Sequence, residues 1–559
     1  MGVLQIVIVL AVVFLLVKPL GTYVYHVYSN EPNRTDRIFG WLERFIYALI
    51  GLKERAGMTW KKYVLSFLLT NIVFVGLGYL LLRIQSVLPL NPNGIGNMEQ
   101  TLSFNTIISF MTNTNLQHYS GESGLSYFSQ MIVIMMMMFT SAATGFSVAI
   151  AFVRGLTSKG KTLGNFFEDF VKSHTRIFFP AAIGVTLILV ALQVPQTFDP
   201  TLTVTTLEGA TQHIAIGPVA SLESIKHLGT NGGGFFGVNS AHPFENPNGL
   251  TNVIEILSMW LLPASLPYVY GRFAKNRKQG WVVFSAMMTL FIAFLVVAYA
   301  SEMHGNPAIN ALGIDHSEGS MEGKEVRLGV AQSALFTTVT TAATTGSVDN
   351  MHDTLTPLGG MVPLAEMMLN VVFGGKGVGL VNMLMYAILG VFLCGLMVGR
   401  TPEFLGRKIE PKEMKLIAVA ILMHPLIILA PTAIAFVTDL GKGAITNPGF
   451  HGISQVLYEY TSSAANNGSG FEGLADNTSF WNITTGLVML LGRYISMIAM
   501  MAVAGSLVRK QWVPETIGTF RTDNKLFYGI LIGTVLIIGA LTFLPTVVLG
   551  PIAEFLTLR

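Results

Sequence analysis

The chain has 559 residues, of which 51% are hydrophobic and 12% charged, with a formal net charge of +3. Soluble domains carry roughly 25% charged residues, so the composition excludes a soluble globular protein, and so small a net charge argues against a nucleic-acid binder. The single cysteine, Cys394, excludes an intrachain disulfide and a thiolate metal cluster.

A membrane-crossing helix needs about 20 apolar residues. The first run, Val3–Val17, has no basic leader and no small-residue cleavage pattern, and Lys18 follows it, so 3–27 reads as a retained helix rather than a signal peptide. Nine more spans are predicted at 60–88, 125–153, 175–195, 249–271, 279–301, 360–399, 414–438, 481–508 and 526–556. The segments 28–62, 154–176, 272–278, 400–415 and 509–525 hold 25 of the 34 Lys and Arg residues. The loops between them are long and nearly free of basic residues, Lys226, Lys324 and Lys442 being among the few. Basic loops stay on the cytoplasmic side, which predicts that both termini lie outside. Arg400, at the basic end of its span, reads as an anchor of this kind.

Four short uncharged stretches interrupt this apolar sequence: Thr112–Asn113–Thr114–Asn115, Thr230–Asn231–Gly232 with two further glycines, Thr344–Thr345–Gly346–Ser347, and Asn466–Asn467–Gly468–Ser469. They begin 118, 114 and 122 residues apart, and the charge pattern puts all four on the outer side. A helical segment too short to cross the bilayer precedes each, at Leu102–Met111, Ser221–Gly229, Gly329–Thr341 and Ile453–Ser463. Irregular backbone at membrane depth is tolerated only when packed in protein or lining a water-filled cavity. The prediction is an all-α membrane protein of about ten helices, with four helix–half-helix–filter–helix units around a central pore and one extra helix at each end. The units are predicted at 59–154, 173–275, 279–400 and 413–509, flanked by an N-terminal part at 1–58 and a C-terminal helix at 524–559.

One such stretch alone usually means a turn; four with a near-constant period, on one side of the membrane, point to an ion filter. Backbone carbonyls replace a cation's water shell without binding it so tightly that it cannot leave. Aiming successive carbonyls at one axis needs left-handed residues, which glycine adopts freely and asparagine at small cost. Gly232, Gly346 and Gly468 stand third in their stretches, where the first has Thr114, so the filter is expected to be asymmetric. Thr and Asn side chains are expected to add neutral oxygens. No carboxylate occurs in any of the four; calcium and magnesium sites favour Asp and Glu, so the ion is monovalent.

Longer motifs surround these stretches: NTNLQHYSGE at 113–122, GTNGGGFFGVNSAHPFEN at 229–246, SMEGKE at 320–325, GRTPEFLGRKI at 399–409 and SSAANNGSGF at 462–471. In them the chain resembles, over essentially its whole length, the potassium-binding subunits of bacterial Kdp potassium-transporting ATPases. The resemblance implies a fold of the potassium-transporter superfamily, potassium as the transported ion, and location in the bacterial cytoplasmic membrane. It also implies three protein partners: a P-type ATPase subunit, a subunit with a single membrane span, and a further small subunit. The channel signature TVGYG is missing.

The span 360–399 is too long for one straight helix and carries Phe373–Gly374–Gly375–Lys376–Gly377–Val378–Gly379. Glycines break the helix here, and broken membrane helices surround ion paths. The resemblance makes this an intramembrane loop beneath the filter, a gate or a branch of the path. Lys376 is no phosphate-loop lysine, because that motif would need glycine at Leu369 and a hydroxyl at Gly377. It reads either as a tethered cation beside the path or as part of a water-facing hinge.

Arg493 sits mid-span, where a charge is costly and functional by default. It reads as a barrier against downhill leakage, the alternative being a structural partner for Glu255 or Glu366. Gln117 is a candidate for the pore mouth. His242, Glu245 and Asn246 read as loop packing, and Asp349, His352 and Asp353 as a secondary cation-concentrating cluster at the third stretch's exit.

With no phosphate loop and no DKTG motif, the chain cannot hydrolyse ATP alone, and no catalytic cofactor or nucleophile–base cluster is apparent. The expected function is the potassium-selecting, non-hydrolytic subunit of an ATP-driven uptake pump. The alternative is a self-sufficient Trk/Ktr-like channel or gradient-coupled transporter.

Overall fold

A computed structural model describes residues 2–29, 31–32, 35–52, 56–314, 317–399, 401–514 and 519–558. Its elements are almost entirely helical, and ten helices among the described residues are long and apolar enough to cross a membrane. The only paired strands among those residues are two small hairpins at Leu202–Ile214 and Glu403–Lys408. The expectation of an all-helical membrane protein with ten spans holds.

The helices sort by burial. In Ser129–Thr157 and Gly249–Phe273, 78% of the most apolar stretch is buried, against 22% in Gly2–Tyr28, Trp60–Arg83 and Pro411–Val437. The first pair are central and the others face outward, with Val3, Leu15, Leu65, Ile72 and Leu422 exposed. Such apolar outer faces are what a helix presents to hydrocarbon. Gly2–Tyr28 packs against Gly249–Phe273, and Ser479–Leu507 packs against Pro411–Val437.

The same local succession occurs four times. A membrane helix is followed by a short helix at Gln100–Met111, Val219–Leu228, Gly329–Ala342 or Phe450–Ala465, then by a polar segment, then by another membrane helix. These half-helices are buried along most of their length, including Ser103, Asn105, Glu223, Lys226, Thr337, Thr338, Gln455 and Glu459. The first starts on a side-chain cap, Glu99 accepting from the amides of Thr101 and Leu102, whereas Pro218, Leu328 and Gly449 precede the other three without one.

The third succession departs from the others. The predicted long span is two helices, Pro357–Leu369 and Val378–Met397, joined by the loop 370–377. Asn370 ends the first in a left-handed conformation, and Phe373, Gly374, Gly375 and Gly377 also have positive φ. Arg400 lies outside the described residues.

Candidate functional site

Each half-helix ends in the same cap. The amides of Thr114, Asn231, Thr345 and Asn467 donate five residues back, to the carbonyls of Ser109, Lys226, Thr340 and Ser462, at 2.7–2.9 Å. The amides of Asn113, Thr230, Thr344 and Asn466 donate three residues back, to Phe110, His227, Thr341 and Ser463. This pair of bonds is the Schellman motif, which puts the first residue past the helix in the left-handed region. Asn113, Thr230, Thr344 and Asn466 have φ of 64°, 44°, 43° and 54°. Two of them are threonines, whose branched Cβ makes this conformation costly.

The cap fixes the register of the four segments, and it differs from the sequence expectation in the first. Positive φ recurs two residues after each cap, at Asn115, Gly232, Gly346 and Gly468. The residue that corresponds to the three glycines is therefore Asn115, not Thr114. Thr112 belongs to the helix end, its hydroxyl spent on the Ile108 carbonyl at 2.8 Å and on Thr114. Left-handed residues alternating with extended or right-handed ones turn successive carbonyls toward one side of the chain, the requirement set out for a carbonyl filter.

The segments also meet in a ring. A Cβ on Gly232 would collide with the Thr345 carbonyl, one on Gly346 with the Asn467 carbonyl, and one on Gly468 with the Thr114 carbonyl. The ring closes where Gly233 faces Asn115, whose carbonyl a Cβ would approach to 3.0 Å. Above it, a cavity of about 290 Å³ is lined by residues following or within all four segments, including Asn115, Gln117, Gly233, Gly346 and Gly468.

Most of the asparagine side chains are cross-braces. Asn113 donates to the Thr230 carbonyl at 2.6 Å and accepts from Asn231 at 2.8 Å and from the Ser141 hydroxyl at 2.9 Å. Asn466 donates to the Thr114 hydroxyl at 2.9 Å, and Asn467 to the Thr340 carbonyl at 3.1 Å. Gln117 clamps Gly234, accepting from its amide at 2.7 Å and donating to its carbonyl at 3.2 Å. Buried polar atoms without a hydrogen-bond partner among the described residues include the hydroxyls of Thr230 and Thr345 and both amide atoms of Asn115. Unpaired buried polar atoms are rare and mark a missing partner; donor-free oxygens in this ring suit a cation.

Beneath the ring lies the loop 370–377. The Gly374 amide donates to the Ala342 carbonyl at 2.8 Å, and a Cβ on Gly375 would stand 2.7 Å from the Thr344 hydroxyl and 3.4 Å from that of Thr230. Lys376 is buried and its ammonium has no hydrogen-bond partner among the described residues, so it is not part of a water-facing hinge. Arg493 is buried on Ser479–Leu507 and donates to the Ser141 carbonyl at 3.4 Å. Neither expected carboxylate pairs with it: Glu366 accepts from the Thr341 hydroxyl at 2.6 Å, and Glu255 lies 3.4 Å from His227. A narrow cavity of about 60 Å³ is lined by Asn466, Asn370, Gly377, His424 and Arg493.

The outer carboxylates are not those expected from the sequence. Glu472 and Asp476 line the outer cavity. Asp353 is instead paired with His451 at 3.0 Å, and Asp349 is wholly buried. His242 does pack, stacked on Phe236 at 3.7 Å, and Asn246 is bonded to Asn252. Glu245 is more than packing. It forms a buried ion pair with Lys226 at 2.7 Å, a link foreshadowed only by the charges of Glu223 and Lys226 on one half-helix.

The family described as KdpA, potassium-transporting ATPase A subunit, matches residues 7–556. The chain belongs to that family. A potassium-transporting ATPase potassium-binding subunit from Geobacillus kaustophilus (strain HTA426) is 64% identical over 555 residues, covering 99% of each chain. Among solved structures, the potassium transporter TrkH from Vibrio parahaemolyticus matches with a TM-score of 0.51, covering 88% of this chain and 96% of that one at 14% identity. At that identity the likeness concerns the fold alone. Family membership makes this chain a subunit of a potassium-transporting ATPase, which implies further subunits and distinguishes it from a self-sufficient transporter.

Proposed function

We propose that the four converging segments are the potassium-selecting site of the pump. Potassium enters from the outer cavity, loses its water, and is held by backbone carbonyls of Asn113–Asn115, Thr230–Gly232, Thr344–Gly346 and Asn466–Gly468, assisted by the hydroxyls of Thr230 and Thr345. The observation that carries this reading is the ring of close approaches among Gly232, Gly346, Gly468 and Gly233, joined to positive φ at matched positions in all four segments. Each half-helix also points its C-terminal, partially negative end at the ring. Potassium is the transported substrate, and no bound cofactor is needed by this subunit.

The loop with Gly374, Gly375, Lys376 and Gly377 and the guanidinium of Arg493 close the path below, so that the ion leaves sideways toward a partner rather than straight through. The partners are a P-type ATPase subunit that supplies hydrolysis, a subunit with a single membrane span, and a further small subunit. The chain lies in the bacterial cytoplasmic membrane with both termini outside, and its four units follow the boundaries 59–154, 173–275, 279–400 and 413–509.

The test is to purify the chain with its co-expressed partners and measure potassium-stimulated ATP hydrolysis. Stimulation with a half-maximal concentration that shifts in filter variants is expected. No stimulation, together with passive potassium flux from this chain alone in liposomes, would overturn the pump reading.

A further inference from the structure

Lys226 is buried completely, on the half-helix Val219–Leu228 behind the second segment. An ammonium has three hydrogens to place, and this one finds three partners: Glu223 at 2.9 Å, the Ser240 hydroxyl at 2.9 Å and Glu245 at 2.7 Å. Glu223, Ser240 and Glu245 are themselves inaccessible to solvent. Glu223, His227 and Glu255 bring metal-type ligand atoms within 4.8 Å of one another, but the Lys226 ammonium already supplies a cation against Glu223.

This ammonium ties the exit of the second segment to that of the third, while the backbone of the same residue caps the start of the second. The Lys226 carbonyl accepts the Asn231 amide at 2.9 Å, and the next carbonyl, of His227, accepts the Thr230 amide at 3.0 Å. Glu245, fixed by the ammonium through one oxygen, accepts the Phe236 amide at 2.8 Å through the other. The backbone on both sides of Gly232–Gly234 is thus tied to one residue. Ser240, bound to the same ammonium, lies 3.1 Å from the Ser347 hydroxyl, and His227 Nε2 lies 2.9 Å from that hydroxyl. Ser347 directly follows Gly346, and the second and third segments touch where Gly232 meets Thr345.

We infer that Lys226, with Glu223, Glu245, His227 and Ser347, is a rigid buttress that sets the spacing of the second and third segments and thereby the discrimination between potassium and other alkali cations. The inference rests on reading the ring as the filter. A filter whose carbonyls are free to shift adapts to ions of several sizes, whereas one pinned from behind keeps the geometry of a single ion. A buried network of this kind resists shifting because displacing a charged member leaves an uncompensated charge and displacing a polar one leaves an unsatisfied hydrogen-bonding group. These residues are positioning residues, for none of them lines the ring with its side chain.

The experiment uses the purified complex and compares potassium, rubidium and sodium as stimulators of ATP hydrolysis. Ser347→Ala removes one hydroxyl and leaves the charges in place. Glu245→Gln keeps an acceptor for the Phe236 amide but breaks the ion pair. Lys226→Met removes the ammonium. The expected result for Ser347→Ala and Glu245→Gln is assembly like wild type, a maximal rate within twofold, a rise in half-maximal potassium of about fivefold or more, and a rubidium-to-potassium ratio shifted at least threefold. A purely structural network would instead lower assembly and maximal rate while leaving the ion ratio unchanged. Assembled Ser347→Ala and Glu245→Gln complexes with an unaltered ion ratio would overturn the inference, whether or not Lys226→Met assembles. Gly232→Ala, measured alongside, separates the two readings: if it too leaves the ratio unchanged, the filter assignment itself fails.

Discussion

Arg493 and Asn113 meet on one residue, Ser141, whose carbonyl accepts from the guanidinium at 3.4 Å and whose hydroxyl donates to the Asn113 amide oxygen at 2.9 Å. The guanidinium beneath the ring and the brace that joins the first and second segments are therefore linked through a single serine. The guanidinium also rests on Gly145, where a Cβ would stand 2.6 Å from Nη2 and 3.4 Å from the Lys376 carbonyl. A buried guanidinium with one long hydrogen bond, and no carboxylate against it among the described residues, keeps its field for what passes nearby, since no counter-charge cancels it.

Replacing Arg493 with methionine is expected to open a leak. A fixed charge near a monovalent cation in a low-dielectric cavity is worth several kcal/mol, and about 1.4 kcal/mol corresponds to tenfold. Rubidium flux into liposomes containing the complex, without ATP, should rise at least tenfold. Gly145→Ala, which pushes the guanidinium aside without removing it, should give a smaller rise of the same kind. Wild-type leak rates in both variants would remove Arg493 as the barrier.

Gly232→Ala and Gly346→Ala place a methyl group against the carbonyls of Thr345 and Asn467 at residues whose φ is +76° and +83°. A side chain in the left-handed region costs roughly 1–2 kcal/mol, before the clash is relieved by moving the neighbouring carbonyl. Both variants should raise the half-maximal potassium concentration by about tenfold or more in the ATPase assay and weaken discrimination against rubidium and sodium. An unchanged value in both would mean that these glycines do not shape the binding site.

The spans and half-helices were legible because hydropathy and length are one-dimensional properties, and each half-helix stands out as apolar but too short to cross. The period of the polar stretches was legible for a related reason, since a Schellman cap must sit at the end of every half-helix. Its phase in the first segment was not. Thr112 and Thr230 both precede an asparagine, yet Thr112 is the helix end and Thr230 the left-handed residue. The positive φ of Asn113 and Asn115, the contact of Gly468 with the Thr114 carbonyl and the bond from the Thr114 amide to Ser109 reveal the offset. Long-range pairing hid the Lys226 network in the same way: Glu245 lies 19 positions away, in a stretch whose local sequence says only loop.

Asn115, standing where the other three segments have glycine, yields a sharper prediction. Its φ is +58°, and both its side-chain atoms are buried without a hydrogen-bond partner among the described residues. Asparagine pays little for that backbone conformation, so Asn115→Gly should leave assembly intact and change the unfolding temperature by less than about 3 °C. The Asn115 carbonyl and Cβ lie against Gly233 at the closure of the ring, and loss of the side chain should change ion selectivity, read as a rubidium-to-potassium ratio altered at least twofold. A ratio identical to wild type would make the asymmetry of the first segment a matter of backbone fit alone.

The outer cavity should make potassium uptake depend on pH. His118 is buried beside the cavity, with Asn482 2.7 Å from Nδ1, Glu459 3.1 Å from Nε2 and Asp476 3.8 Å from Nε2. Burial disfavours its charged form, but the charge of Asp476, the hydrogen bond and charge of Glu459, and Asn482 together raise its pKa to about 9. Burial raises Asp476 to about 7, against the pull of His118 and with the repulsion of Glu459. As pH rises from 6 to 9, Asp476 gains a negative charge and His118 begins to lose its positive one, so both changes make the cavity more negative. A negative vestibule raises the local cation concentration, and the half-maximal potassium concentration should fall severalfold over that range at low ionic strength. Because the folded pKa of His118 lies above the ordinary value of 6.5, its contribution to stability is full below that value and is lost as pH rises through about 9. The gain in affinity therefore comes with a looser vestibule at the alkaline end. Asp476→Asn should flatten the lower part of the profile, and His118→Gln the upper part. Added salt should shrink the whole effect, because exposed charge is screened beyond about 10 Å at 0.1 M ionic strength. Glu472, which lines the same cavity and is raised by burial to about 8, gains charge over the same range, so a profile in the double variant Asp476→Asn, Glu472→Gln as steep as in wild type would show that the cavity charge does not govern potassium entry.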